Sequence, residues 1–187
     1  FTVPAGILED ASATDISSAI TVGDVDAHAG TGLLRLTLGV TWGALAASGD
    51  VTVAGNGTTS IVMTGTVVNL NAATVTFTPT PNQNGANQLT ATVNDLGNYP
   101  GLAQSFSPTA AAFTVVAQND EPHLITNTGL DQTQALSPTL PITYNITSAT
   151  LQFGDIDGDP ANQIIYTVQA LPTNGALMLG STALVAC

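Results

Sequence analysis

The run Val51–Asn94, VTVAGNGTTSIVMTGTVVNLNAATVTFTPTPNQNGANQLTATVN, contains no charged residue. Apolar and polar side chains alternate through Ser60–Thr64, Thr74–Thr78 and Gln88–Val93, the period of a half-buried strand. Between these runs sit Gly55-Asn56-Gly57 and Pro79–Gly85, residues that start turns or accept positive φ. Charges that usually keep strand edges apart are missing, so pairing or polar threonine faces must protect them. The same reading extends outward to Ala19–Val22, Leu33–Leu38, Asp50–Ala54 and Ala112–Ala117. Further on it gives Thr150–Phe153, Gln163–Val168 and Ala176–Leu179. Asn94–Gly101 is a further turn region, and Val67–Ala73 reads as room for a single helical turn. Strand after strand at this spacing predicts an all-β protein built as a β-sandwich.

Composition agrees with that class. Of 187 residues, 7% are charged against a usual figure of about 25%. Thirteen are acidic, Arg35 is the one base, lysine is absent and the formal charge is −12. Such a chain cannot neutralise phosphates, which excludes nucleic acid as a partner, and it is not drawn to an anionic membrane surface. A hydrophobic content of 44% sets it apart from disordered chains, and no apolar run reaches the roughly 18 residues of a membrane span. Twenty-nine threonines and few helix formers favour strands. The single cysteine, Cys187, allows no internal disulfide. Without an initiating methionine or a signal-peptide pattern, the expectation is a processed chain or an excised piece, secreted.

An internal repeat organises the chain. Gly23-Asp24-Val25-Asp26 matches Gly154-Asp155-Ile156-Asp157, and each is followed by a Gly-Ala-Leu, at Gly43 and at Gly175. Upstream, Ile16-Ser17-Ser18-Ala19 parallels Ile146-Thr147-Ser148-Ala149. The offset of about 130 residues makes the first copy whole and ends the second near its middle. The boundary is expected at Gln118-Asn119-Asp120-Glu121-Pro122, dividing the chain into a complete sandwich over 1–119 and a partial one over 120–187.

Residues 1–122 resemble the bacterial cadherin-like, immunoglobulin-like sandwich repeats found in tandem in very large surface adhesins. The residues that carry the resemblance are Leu8-Glu9-Asp10, Gly23-Asp24-Val25-Asp26, Trp42-Gly43-Ala44-Leu45 and Phe77-Thr78-Pro79-Thr80-Pro81. To these add Asn84-Gly85, Val93-Asn94-Asp95-Leu96-Gly97-Asn98 and Asn119-Asp120-Glu121-Pro122. The second copy resembles a chondroitin-sulfate-proteoglycan-type repeat through Phe153-Gly154-Asp155-Ile156-Asp157-Gly158, Ile165-Tyr166-Thr167-Val168 and Leu171–Leu177. Two departures stand out: Asn71-Ala72-Ala73-Thr74 is about two residues short of the usual run, and the second copy lacks a Glu-Asp pair near its start, offering only Asp131.

The resemblance implies a calcium-stiffened rod segment of an extracellular adhesin or fibre. Its ligands would be Glu9, Asp10, Asp24, Asp26, Asp95, Asn119 and Asp120, gathered around module junctions, with Asp155, Asp157 and Asp159 in the second copy. Its partners would be neighbouring like modules in the same chain or in adjacent subunits. The physical reason is simple. Two carboxylates at alternate positions of an extended chain point the same way, and without a cation they repel with no base to offset them. Extracellular sites of this kind bind Ca²⁺ at about 10⁻⁴–10⁻³ M. The competing reading is that these acids form turns and keep a threonine-rich protein soluble. Asp155–Tyr166 is not an EF-hand loop, because Pro160 stands where glycine is needed and Tyr166 where the closing glutamate belongs.

Catalysis is not expected. His28 and His123 have no motif partner, no Gly-x-Ser-x-Gly occurs, and with aromatics at 5% no sugar-stacking platform is evident. Trp42 reads as a packing residue. The sequons Asn56-Gly57-Thr58 and Asn145-Ile146-Thr147 are expected by chance in a chain so rich in threonine. The alternative to a rod segment is a subunit of a self-assembling extracellular filament or surface layer, joined when another chain's strand completes the half repeat.

Overall fold

In the computed structural model the alternating run that begins at Leu33 becomes an eight-residue strand, Leu33–Val40, with Leu34, Leu36 and Leu38 buried. The structure describes all residues except 1–2, 26, 28–31, 99–101, 109, 130–142, 158–163, 174 and 187. The protein is all-β. It comprises two compact units, Phe1–Gln118 and Asn119–Cys187.

The first unit runs β1 (Ile7–Leu8), β2 (Thr14–Asp15), a 3-10 turn at Ser17–Ala19, β3 (Leu33–Val40), β4 (Ala44–Ser48) and β5 (Thr52–Ala54). It continues with β6 (Ser60–Thr66), α1 (Val67–Ala72), β7 (Thr74–Thr78), β8 (Gly85–Asn94), β9 (Ser105–Phe106) and β10 (Ala111–Val116). Seven strands form one sheet in the order β1-β10-β8-β3-β6-β5, with β9 beside the far end of β8. A second sheet has the order β2-β7-β4. One core lies between them. Leu34, Leu36, Leu38, Ile61, Met63, Leu89 and Val115 come from the first sheet, and Leu45, Ala47, Val75 and Phe77 from the second. Trp42 packs against this core, its ring edge-on to Phe77 at 6.4 Å and its Nε1–H donating to Ala86 O at 3.1 Å.

The other face of the large sheet carries the threonines. Register places Thr52 beside Thr64, Thr64 beside Arg35 and Arg35 beside Asn94, while Thr37 lies beside Thr92. β-branched hydroxyl side chains suit such a face because they pack across strands and still bond water. That accounts for a long run without charge. Thr66 caps α1, its Oγ1 accepting from Asn69 N at 3.2 Å, and Leu70 pins the helix to the core.

Ala19–Val22, read as a strand, is not one. Ser17–Ala19 winds into the 3-10 turn, tied down by Ser17 Oγ, which accepts from Val75 N at 2.8 Å. Val22 is then paired by a side chain, with Val22 N donating to Asn71 Oδ1 and Asn71 Nδ2 donating to Val22 O, both at 2.8 Å. Asn56 does the same for the edge of β4, pairing Ala47 N at 2.8 Å and Ala47 O at 3.0 Å. Asn87, which is buried, bridges Thr41 N at 3.0 Å and Trp42 O at 2.9 Å. Each amide offers one acceptor and two donors and so stands in for a missing strand. Neutral amides therefore close backbone edges that charges guard elsewhere.

In the second unit β11 (His123–Asn127) pairs antiparallel with β12 (Leu151–Gly154), and β13 (Met178–Leu179) with β14 (Thr182–Ala183). Phe153 meets Tyr166 edge-on at 5.5 Å. The described part of Gln163–Val168, also read as a strand, carries none. Among the described residues of this unit no side chain is buried. Leu124, Ile125, Ile165 and Leu179 are exposed.

Candidate functional site

Among the described residues, Glu9 and Asp10 lie at one end of the first unit and Asp24 and Asp95 at the other. Glu9 follows β1, whose parallel pairing with β10 sets Ile7 beside Val115 and Leu8 beside Val116. Its backbone N–H donates to Val116 O at 3.1 Å. Its side chain, only 1% exposed, accepts from Gln118 N at 2.7 Å on Oε1 and from Asn84 Nδ2 at 3.0 Å on Oε2. A buried carboxylate needs such donors, and those to a charged group are the stronger kind. Asp10 lies beside it, accepting from Asn82 N at 3.0 Å and so fixing a residue held at φ 57°.

Asp95 follows the other end of β8. Ten residues of strand, about 33 Å, separate it from Asn84 and Glu9. Its Oδ1 accepts from Gly97 N at 3.0 Å and Gln104 N at 2.7 Å. The Gly97 N–H first, then that of Gln104, hold this carboxyl below the usual aspartate range. Asp24 belongs to the same end. Its Oδ1 accepts from Ala27 N at 2.8 Å, and a Cβ on Gly32 would lie 3.0 Å from Ala27 Cα and 3.2 Å from Asn98 Cγ. Asp26 lies outside the described residues. Asp15 is a third turn former, accepting from Ser17 Oγ at 2.6 Å and Ser17 N at 2.8 Å. The hydroxyl first, then the N–H, lower its pKa.

These shifts set an acid limb. A carboxyl whose folded pKa is depressed adds stability above its unfolded value of about 3.9 and loses it as pH falls through the folded value. Thermal midpoints should therefore decline below about pH 4 as Asp15 and Asp95 protonate. Asp95→Asn should shallow that decline. An unchanged acid limb in the variant would show that the Asp95 turn carries none of it.

In the second unit Asp120 N donates to Asp157 Oδ2 at 2.6 Å, Asp157 N to Asp155 Oδ1 at 3.1 Å, and Asn119 Nδ2 to Asp120 O at 3.0 Å. Asp159 lies outside the described residues. Calcium takes six to eight oxygens. Among the described residues no three carboxylate, imidazole or thiol groups converge in a way that could hold a metal ion. In the first unit both Glu9 oxygens and one oxygen each of Asp10, Asp24 and Asp95 already accept protein N–H groups. In the first unit the described acids thus work as turn formers and caps.

Of the reactive groups, His123 opens β11, while His28 and Cys187 lie outside the described residues. Asp50, which carries no part of the family resemblance, accepts from Asn69 Nδ2 at 2.9 Å and lines a surface depression of about 300 Å³ with Thr52, Thr64 and Thr66. The edge-closing asparagines were also missed, and their only signal was asparagine recurring in a charge-free, strand-rich run. Comparison with known protein families, curated proteins and solved structures gives no match.

Proposed function

We propose that the chain is an extracellular structural segment, a rod-forming repeat of a bacterial surface adhesin or fibre of the cadherin-like kind. The observation that carries the reading is the parallel pairing of β1 with β10. The chain comes into β1 from one side along the strand axis and leaves β10 toward the other, as a segment strung in series requires. The internal repeat supports a series of like modules, and the threonine face suits contact with water.

At the start of the second unit, where the Asp120 N–H binds the Asp157 carboxylate and the Asp157 N–H that of Asp155, calcium would add a further tie, with Asp159 close in sequence. Calorimetric unfolding of the whole chain with excess EGTA, then with Ca²⁺ restored, tests it. The first unit's transition should stay where it is, because its acids are held by protein donors. The second unit's transition should rise with Ca²⁺, by about 1.4 kcal/mol at ten times the dissociation constant. No response in the second unit removes calcium from the proposal. A reversible drop in the first unit overturns the turn-forming role of Glu9, Asp24 and Asp95.

A second reading, an assembling filament or layer subunit, draws on the second unit. Its two-stranded sheets have open edges, and none of its described side chains is buried. Strand addition from another copy would cover both. Sedimentation across a hundredfold range of concentration separates the two readings: self-association supports the subunit, and a monomer throughout supports the rod segment.

A further inference from the structure

We infer that Glu9 is a mechanical bolt, joining the incoming strand of the first unit to its outgoing segment. The inference rests on the rod-segment reading and names the place where such a rod resists tension. When the two ends of the unit are pulled apart, the parallel β1–β10 pair slides in shear, so its hydrogen bonds are strained together rather than one after another. β1 is only two residues long, so the ladder alone offers little. Glu9 extends it. Its N–H holds Val116 O at 3.1 Å, and its Oε1 holds Gln118 N at 2.7 Å, the last residue before the second unit. Tension draws Glu9 and Gln118 in opposite directions, so that bond is stretched directly.

Asn84 Nδ2, on Oε2 at 3.0 Å, fixes the carboxylate from the start of β8 and keeps it aimed at Gln118. Burial at 1% exposure keeps water from replacing the bond as it lengthens. No charged partner is needed, and the chain has no lysine with which to build a covalent or ionic tie. A carboxylate accepting backbone N–H bonds supplies a strong hold in a protein almost without bases.

Single-molecule pulling of the whole chain tests this in two loading directions. One set of handles is placed on the chain ends. The other is placed on Thr52→Cys and Thr114→Cys, outward positions on β5 and β10, in a Cys187→Ser background. End-loading shears β1 against β10, whereas the second pair of handles peels the large sheet across its strands. Glu9→Gln, which keeps the shape but not the charge, should speed unfolding of the first unit roughly ten- to a hundredfold at a given force under end-loading. Across the sheet its effect should be several-fold smaller. Gln118→Pro, which removes the N–H donor and fixes φ at that residue, should show the same dependence on direction. Equal acceleration in both directions makes Glu9 an ordinary structural residue and overturns the inference, as does no acceleration at all. A wild-type unit that yields no harder through its ends than across its sheet contradicts the rod-segment reading itself, which is a separate result.

Discussion

Phe77→Ala lowers the stability of the first unit by about 3–5 kcal/mol, enough to remove much of what a domain of this size possesses. Phe77 is fully buried on the central strand of the small sheet, with Leu45 beside it on β4 and Thr14 beside it on β2. Its ring stands edge-on to Phe113 at 5.3 Å and to Trp42 at 6.4 Å. Phe113 belongs to the large sheet, so truncation takes away the side chain that spans both layers. Phe113 is held by its strand and Trp42, in the turn between β3 and β4, by its bonds to Ala86 O and from Asn87, so neither can collapse into the space. Denaturant unfolding followed by circular dichroism measures the loss, while the single tryptophan reports the changed packing. A cost below about 1 kcal/mol would mean that the two sheets are not closed around this ring.

Gly43→Ala should be nearly as damaging, for a different reason. Gly43 has φ 87°, and a Cβ there would lie 2.5 Å from Phe77 Cε2 and 2.8 Å from Thr78 O. The left-handed backbone costs a side chain about 1–2 kcal/mol, and overpacking a rigid ring adds about 1–3 kcal/mol. Gly57 supplies the comparison. Its φ is 82°, but nothing lies within 4 Å of a Cβ placed on it, so Gly57→Ala should show the backbone cost alone. Equal losses at the two glycines would show that the ring yields freely. Combining Gly43→Ala with Phe77→Ala should cost less than the two separate losses together, because the truncated ring leaves room for the new methyl group.

These two residues also show what could be read in advance. Thr74–Thr78 alternates cleanly between threonine and large apolar side chains, so both the strand and its buried face were legible. The helical turn at Val67–Ala72 was legible too, because β-strand alternation lapses there and Thr66 can cap it. Ala44–Ser48 was not. Alanine and serine have little preference for strands, and this one exists because β7 lies on one side and the Asn56 amide on the other. Ala19–Val22 had the right alternation, but Asn71 took the backbone that a neighbouring strand would have used. A side chain acting as a strand leaves no periodic trace.

The acids divide in the same way. Their residue types and order were plain in the sequence, but their partners were not. Glu9 and Asp95 sit at opposite ends of β8, and each spends oxygens on nearby N–H groups. Distance along a strand decides which carboxylates can meet, and that depends on pairings more than 70 residues apart in the chain, such as Glu9 with Asn84 and Gln118. Turn formation and ion binding use the same side chains. Only the direction of the lone pairs separates them.

The most direct test of an extracellular structural role is immunogold electron microscopy of the producing cells, with antibody raised against the folded first unit. Label is expected on the outer surface, spaced along extended structures that leave the cell. Label confined to the cell interior, with the surface bare, would contradict it.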